Sequence, residues 1–99
     1  MTVVRLRPIA KRDLKEATTW YRERNEDAAH RFTQEVSRAL DFLEQFPLSG
    51  GFVPGVEDAE VRQFPVRTFP YHVVFIRLPG RISVLAIAHN RRQPGYWND

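Results

Sequence analysis

Between Tyr71 and His89 the chain reads YHVVFIRLPGRISVLAIAH, two almost unbroken apolar runs on either side of Leu78-Pro79-Gly80-Arg81. Pro and Gly in those places form a tight turn. The runs are therefore read as paired strands, Tyr71 to Leu78 and Ile82 to His89. The first is so continuously apolar that it is expected to be central and covered on much of both faces. Val61 to Val66 precedes them with a period of two, which places Arg62 and Phe64 on one side of a third strand. Thr68-Phe69-Pro70 turns the chain between them. Three consecutive strands with short turns make an antiparallel meander. In that meander His89 falls beside Tyr71, whereas Arg77 and Arg81 flank the turn at the opposite end.

Upstream the period is helical. Val3 to Arg7 alternates weakly and reads as a short edge strand. Pro8 suits a helix start, and Ala10, Leu14, Ala17 and Tyr21 recur at helical spacing with Trp20 beside them. Asn25 can cap a second helix, with Glu26 and Asp27 at its positive end. That helix runs to about Gln45 on a stripe of Ala29, Phe32, Val36, Ala39, Leu40 and Leu43. Pro47 to Asp58 is rich in Pro and Gly and reads as a loop. The expected fold is α+β. An N-terminal edge strand and an antiparallel helix hairpin pack on a small, mainly antiparallel sheet that ends in a three-strand meander. The helices cover one sheet face, and the other face or its rim is left for function.

The 99 residues fit one domain, 1–99. The absence of Cys excludes disulfides and thiolate metal sites. No apolar run approaches the roughly 20 residues of a membrane span, and the N-terminus has no signal-peptide core. No membrane association is expected, and the expected compartment is the cytoplasm. Charge is distributed unevenly. Residues 1–60 hold nine Lys or Arg against eleven Asp or Glu, a net of −2, and residues 61–99 hold six Arg against one acid, a net of +5. The whole chain has thirteen Arg and two Lys. That bias explains Arg over Lys, but not the shortage of acids. A one-sided positive field attracts nucleic acid or an acidic protein.

The last strand ends in VLAIAHNRRQPGYW, which delivers His89, Arg91, Arg92, Tyr96 and Trp97 to one rim. Imidazole can exchange a proton with a ribose hydroxyl or a leaving oxygen. Arginine can stabilise charge on a phosphate, and Tyr96 or Trp97 can stack on a base. These are parts of a metal-free ribonuclease. No second acid or base lies beside His89 in the sequence, however, and a terminal Tyr-Trp pair commonly packs back on its domain. His30 and His72 have no metal-ligand spacing to His89, and there is no Gly-rich phosphate loop. No metal or cofactor is expected.

The order of elements, together with VRQFPVRTFPYHVVFIRLPGRISVLAIAHNRRQPGYW, resembles the ParE/RelE superfamily of bacterial toxins from type II toxin–antitoxin modules. The pieces that carry the likeness are Arg62, the Phe69-Pro70-Tyr71 entry into an apolar strand, and Val84 to His89 followed by Arg91-Arg92. A helix start of Pro8, Ala10, Asp13 and Leu14 also fits. The resemblance implies a growth-inhibiting toxin in a hetero-oligomer with a cognate antitoxin, often acidic. RelE-like members cut messenger RNA at the ribosome without a metal, and on that branch Arg62, His89 and Tyr96 match the catalytic positions. ParE-like members block DNA gyrase and need no catalytic residue. The two well-developed helices favour ParE, and the absence of basic lysines departs from one nuclease subgroup. On either branch Arg67, Arg77, Arg81, Arg91, Arg92 and Trp97 are candidates for binding target or antitoxin. The alternatives are a non-toxic nucleic-acid-binding module and a degenerate toxin kept as an interaction partner.

Overall fold

Asn25 decides where one helix stops and the next begins. Helix α1 spans Pro8–Arg24 and helix α2 spans Glu26–Gln45. Asn25 itself is extended, and its side-chain Oδ1 accepts hydrogen bonds from the N–H groups of Asp27 at 2.9 Å and Ala28 at 3.2 Å. It satisfies donors that the first turn of α2 leaves open, while Glu26 and Asp27 sit at the positive end of the helix dipole. The chain is described here by a computed structural model covering residues 2–98. Asp99, the one acid of the second half, lies outside the described residues.

Among the described residues five strands form a single sheet: β1 (Val3–Leu6), β2 (Gly51–Phe52), β3 (Val61–Pro65), β4 (Tyr71–Leu78) and β5 (Arg81–His89). Their spatial order is β1-β5-β4-β3-β2. The meander β3-β4-β5 is antiparallel as expected, with Tyr71 opposite His89 and Leu78 opposite Arg81. β1 runs parallel to β5 on the outside, Val3 opposite Arg81 and Leu6 opposite Val84. The fold is thus α+β, a helix hairpin on a mostly antiparallel sheet. β2 lies inside the stretch read as loop, because a two-residue strand carries no period to detect. It is set up by Gly50, whose φ of +99° favours glycine and where a Cβ would stand 2.9 Å from the Gln63 carbonyl oxygen. No helix among the described residues is long and apolar enough to cross a membrane.

The ladder between β4 and β5 contains a bulge. Val74 pairs with Ala86 and Phe75 with Val84, which leaves Leu85 as the extra residue. Simple alternation would place Ile87 and His89 on the face opposite Ile82 and Val84. The bulge returns them to the same face, so Ile82, Val84 and Ile87 join Val73 and Phe75 under the helices, against Ala10, Ala17, Phe32, Val36 and Leu43. The opposite face, which the sequence reading left with its rim for function, is also partly covered. Val61, Val74, Leu85, Ala86 and Ala88 form a second buried cluster there, closed by Val53 from the loop and Trp97 from the tail.

Loss of the Asn25 cap is the cleanest test of the hairpin. Asn25→Ala is expected to cost about 1 kcal/mol in urea unfolding, and Asn25→Asp only a few tenths. Equal losses in both would mean that the side-chain bonds to Asp27 and Ala28 contribute little.

Candidate functional site

β1 stops at Leu6 because Pro8 starts a helix, so the outer edge of β5 is open beyond Val84. The last backbone contact along this edge is Arg7 N–H to the Val84 carbonyl at 2.9 Å. Asp13, in α1, takes over from there. It is 6% exposed, and its Oδ2 accepts the Ile87 N–H at 3.1 Å. The same oxygen accepts the Tyr96 hydroxyl at 2.7 Å. One carboxylate therefore joins α1, the edge of β5 and the 3-10 turn Tyr96–Asn98. Trp97 follows into the far-face cluster, so the tail is tied down on both sides of the sheet.

A cleft of about 420 Å³ opens above this junction, with Asp13, Trp20, Tyr21, Tyr71, His89 and Tyr96 among its lining residues. Tyr71 meets the ring of His89 edge-on at 5.1 Å, and Tyr21 and Phe32 pack behind it. His89 Nδ1 accepts the N–H of Arg91 at 3.1 Å, which leaves the Nε2 side to carry the proton in the neutral ring. The Arg92 guanidinium lies 3.5 Å from the centre of the Tyr96 ring. Burial raises the pKa of the Tyr96 phenol above its ordinary value. The hydrogen bond to Asp13 and the charge of Asp13 raise it further, against a smaller opposing pull from Arg92 and Arg12. Burial also raises Tyr71, helped by Tyr21 and Asp13.

The residues singled out in the sequence separate into three places. His89, Arg92 and Tyr96 line the cleft. Arg62 does not. It lies on β3 opposite Phe75, whereas His89 lies opposite Tyr71, roughly 13 Å further along β4. Its Nε donates to the Ala59 carbonyl at 2.7 Å, and its guanidinium lies 4.1 Å from the centre of the Phe52 ring. Arg67 and Arg91 are exposed at the end of the meander near Tyr71, and Arg81 is exposed at the other end. Arg77 is paired to Glu60 at 3.3 Å with its side chain 16% exposed. Trp97 is buried.

The whole arrangement can be set beside known proteins. The family model for the ParE toxin of the type II toxin–antitoxin system parDE matches residues 4–94. The chain belongs to the ParE toxin family. No curated protein matches it. Among solved structures it is similar to a chain of the chromosomal ParDE toxin–antitoxin system from P. aeruginosa. The TM-score is 0.75 at 21% identity, with 90% of this chain and 96% of that chain covered. At that identity the likeness speaks for the fold. Family membership implies an antitoxin partner.

On this ParE scaffold the junction at Asp13 is the part that sequence reasoning missed. A signal was present: Asp13 stands three residues after Ala10 and four before Ala17, on the buried stripe of α1. An acid at a core position of an amphipathic helix must find a partner, because an unpaired buried carboxylate is costly. Which partner it finds depends on a strand more than seventy residues away, and no local pattern encodes that.

Tyr96→Phe is expected to cost about 1–2 kcal/mol at pH 7 through loss of the bond to Asp13. The folded phenol holds its proton more strongly than the unfolded one. Its contribution is therefore full below the ordinary tyrosine value near pH 10 and is lost as pH rises through the folded value. The stability gap between wild type and Tyr96→Phe should narrow above pH 10 in denaturant titrations. A gap that stays constant to pH 11 would contradict the Tyr96–Asp13 coupling.

Proposed function

We propose that the protein is the toxin of a ParDE-type module, held inactive by its cognate antitoxin, and that when free it inhibits DNA gyrase. The family match over residues 4–94 carries this reading. The arrangement of polar groups supports gyrase inhibition over the alternative, messenger RNA cleavage. Acid–base catalysis needs its groups within hydrogen-bond reach of one substrate. Arg62 is distant from His89 along the sheet. The Tyr96 hydroxyl donates to Asp13 and is held protonated, which suits a structural donor rather than a base. His89 Nδ1 already accepts the Arg91 N–H.

Binding of partner proteins draws on other features. Phe46, Leu48 and Phe52 are 55%, 81% and 65% exposed. Phe42 packs on Phe46 at 4.8 Å and on Phe64 at 5.2 Å, so an aromatic surface continues from α2 onto β3. Exposed apolar surface of this kind marks protein interaction sites. The exposed Arg67, Arg81, Arg91 and Arg92 supply positive charge around the rim, which accelerates association with an acidic antitoxin or with the gyrase–DNA complex.

The deciding experiment is a supercoiling assay with purified gyrase and the toxin, run beside translation-coupled messenger RNA cleavage. Supercoiling should fall with wild type, recover on adding antitoxin, and fall equally with His89→Ala, while the transcript stays intact. Rapid transcript cleavage that His89→Ala and Arg62→Ala abolish would replace this reading with the ribonuclease.

A further inference from the structure

The first half of the chain sums to −2, yet its first fifteen residues are strongly basic. Arg5, Arg7, Lys11, Arg12 and Lys15 stand there against Asp13 alone, a net of +4. Asp13 is 6% exposed and accepts the Ile87 N–H and the Tyr96 hydroxyl, so it is turned into the fold. Val4 and Leu6 pack under the helices, which sends Arg5 and Arg7 to the other face of β1. Val3 stands opposite Arg81 and Arg5 opposite Ser83, so Arg81 shares that face. Arg7 is fixed there by its Nε, which donates to Ser83 Oγ at 2.8 Å. Lys11 follows one helical turn on, its N–H donating to the Arg7 carbonyl at 3.0 Å, and Lys15 is one turn further along α1.

Five exposed cations, Arg81, Arg5, Arg7, Lys11 and Lys15, thus form a band from the β1 edge up α1. None of the five has an ion pair among the described residues. The first turn of α1 carries no acid. Arg12, beside the band, has only an exposed contact with Glu16 at 4.0 Å. Like charges gathered without a counter-charge repel one another and attract an anionic partner.

The make-up of the band selects the kind of anion. Protein interfaces centre on apolar and aromatic side chains and are poor in charge at their core, and Val3 is the only large exposed apolar residue of β1. Phe52 and its exposed neighbours Phe46 and Leu48 lie toward β2, at the opposite edge of the sheet, about 19 Å away at four strand spacings. β1 is also only four residues long, and a short edge that carries charge discourages the addition of a strand. Interfaces with DNA are instead polar and strongly positive. Single strands are gripped by stacking their bases on aromatic rings, and the five side chains of the band include none. Trp20, further along α1, already carries Arg24 at 3.7 Å from its ring centre.

We infer that the β1 edge and the first turns of α1 bind the phosphate backbone of double-stranded DNA without regard to sequence. Arg5 and Arg7 are about 7 Å apart along β1, and Lys11 and Lys15 about 6 Å apart along α1. Each strand of a duplex presents a phosphate about every 3.4 Å of axis, so both steps match every second phosphate. The arginines offer forks for phosphate oxygens and the lysines point charges. With the aromatic surface at the other edge, the chain can touch protein and DNA of one complex together. The DNA contact belongs to the chain alone and does not rest on the gyrase reading.

The test is a fluorescence-anisotropy titration of a labelled 24-base-pair duplex of random sequence with the full chain, in the absence of gyrase. Binding at 50 mM salt should have a Kd between about 1 and 100 μM, and log K should fall with log salt at a slope of about −4. Arg5→Gln, Lys11→Gln and Arg81→Gln should each weaken binding by about threefold or more and make the slope shallower by about one. Arg31→Gln removes the same charge from α2 and should change the Kd by less than about twofold. All four side chains are exposed, and urea unfolding should match wild type in each variant. Four results would overturn the inference: no binding at 50 mM salt, losses in Arg31→Gln as large as in the band variants, tighter binding of a single strand with the same number of phosphates, or tighter binding of a glutamate-rich peptide of equal charge. The last would make the band a surface for an acidic protein. Because gyrase is absent, failure here is distinct from failure to inhibit supercoiling.

Discussion

A buried strand edge must be paired with something, and in this protein one aspartate supplies the pairing. β5 is the longest strand, and β1 accompanies only its first half. Adding residues to β1 is not open to the chain, because Pro8 lacks an N–H and already begins α1. Asp13 stands in for the missing strand by accepting the Ile87 N–H. The position of α1 follows from this: its second turn must sit at the β5 edge, with Ala10 and Ala17 close enough to pack because their side chains are small. The position of the tail follows too, since Tyr96 donates to the same oxygen. An N–H left unpaired there would cost about 1–3 kcal/mol, so the helix, the strand and the tail are held to one geometry by a few contacts of long sequence separation.

The bulge at Leu85 is the second constraint, and it works together with the first. It lets one strand serve both cores: Ile82 and Val84 under the helices, Leu85, Ala86 and Ala88 on the far face, with Ile87 back under the helices. The same shift brings His89 round to meet Tyr71 and the cleft. A strand of strict alternation would send His89 to the far face, beside His72, whose Nδ1 instead meets the Asn90 Oδ1 at 2.9 Å. The presence of Ile87 and His89 in the cleft is therefore a consequence of one unpaired residue in a ladder.

Much of the fold was legible because its signals are local. The helix hairpin is written in the stripes of Ala10, Leu14 and Ala17 and of Ala29, Phe32, Val36 and Leu43, and Asn25 punctuates it. The meander is written in two apolar runs and a Pro-Gly turn. The parallel pairing of β1, the short strand β2 and the bulge were not legible, since each depends on register between distant segments and leaves no period of its own. The candidate site was legible only in part. His89, Arg92 and Tyr96 were found by position near one rim and do share a cleft. Arg62 was grouped with them by the family resemblance, although the meander already set its strand two places from that of His89. Asp13 was visible as part of the helix motif, but its partners were not.

Charge read along the chain also misled in an informative way. The second half has a formal charge of +5, which suggests an uncompensated cationic surface. In space, Glu60 crosses to Arg77 and Asp13 crosses to the Tyr96 turn, so acids from the first half enter the basic half at two places. What remains positive is the rim at the two ends of the meander, Arg67, Arg91 and Arg92 at one and Arg81 at the other. Positive charge at both ends of the meander can raise the encounter rate with an extended acidic partner from several directions. Such steering depends on the summed field of the rim more than on the exact place of any one arginine, so it tolerates the acids that cross into the basic half.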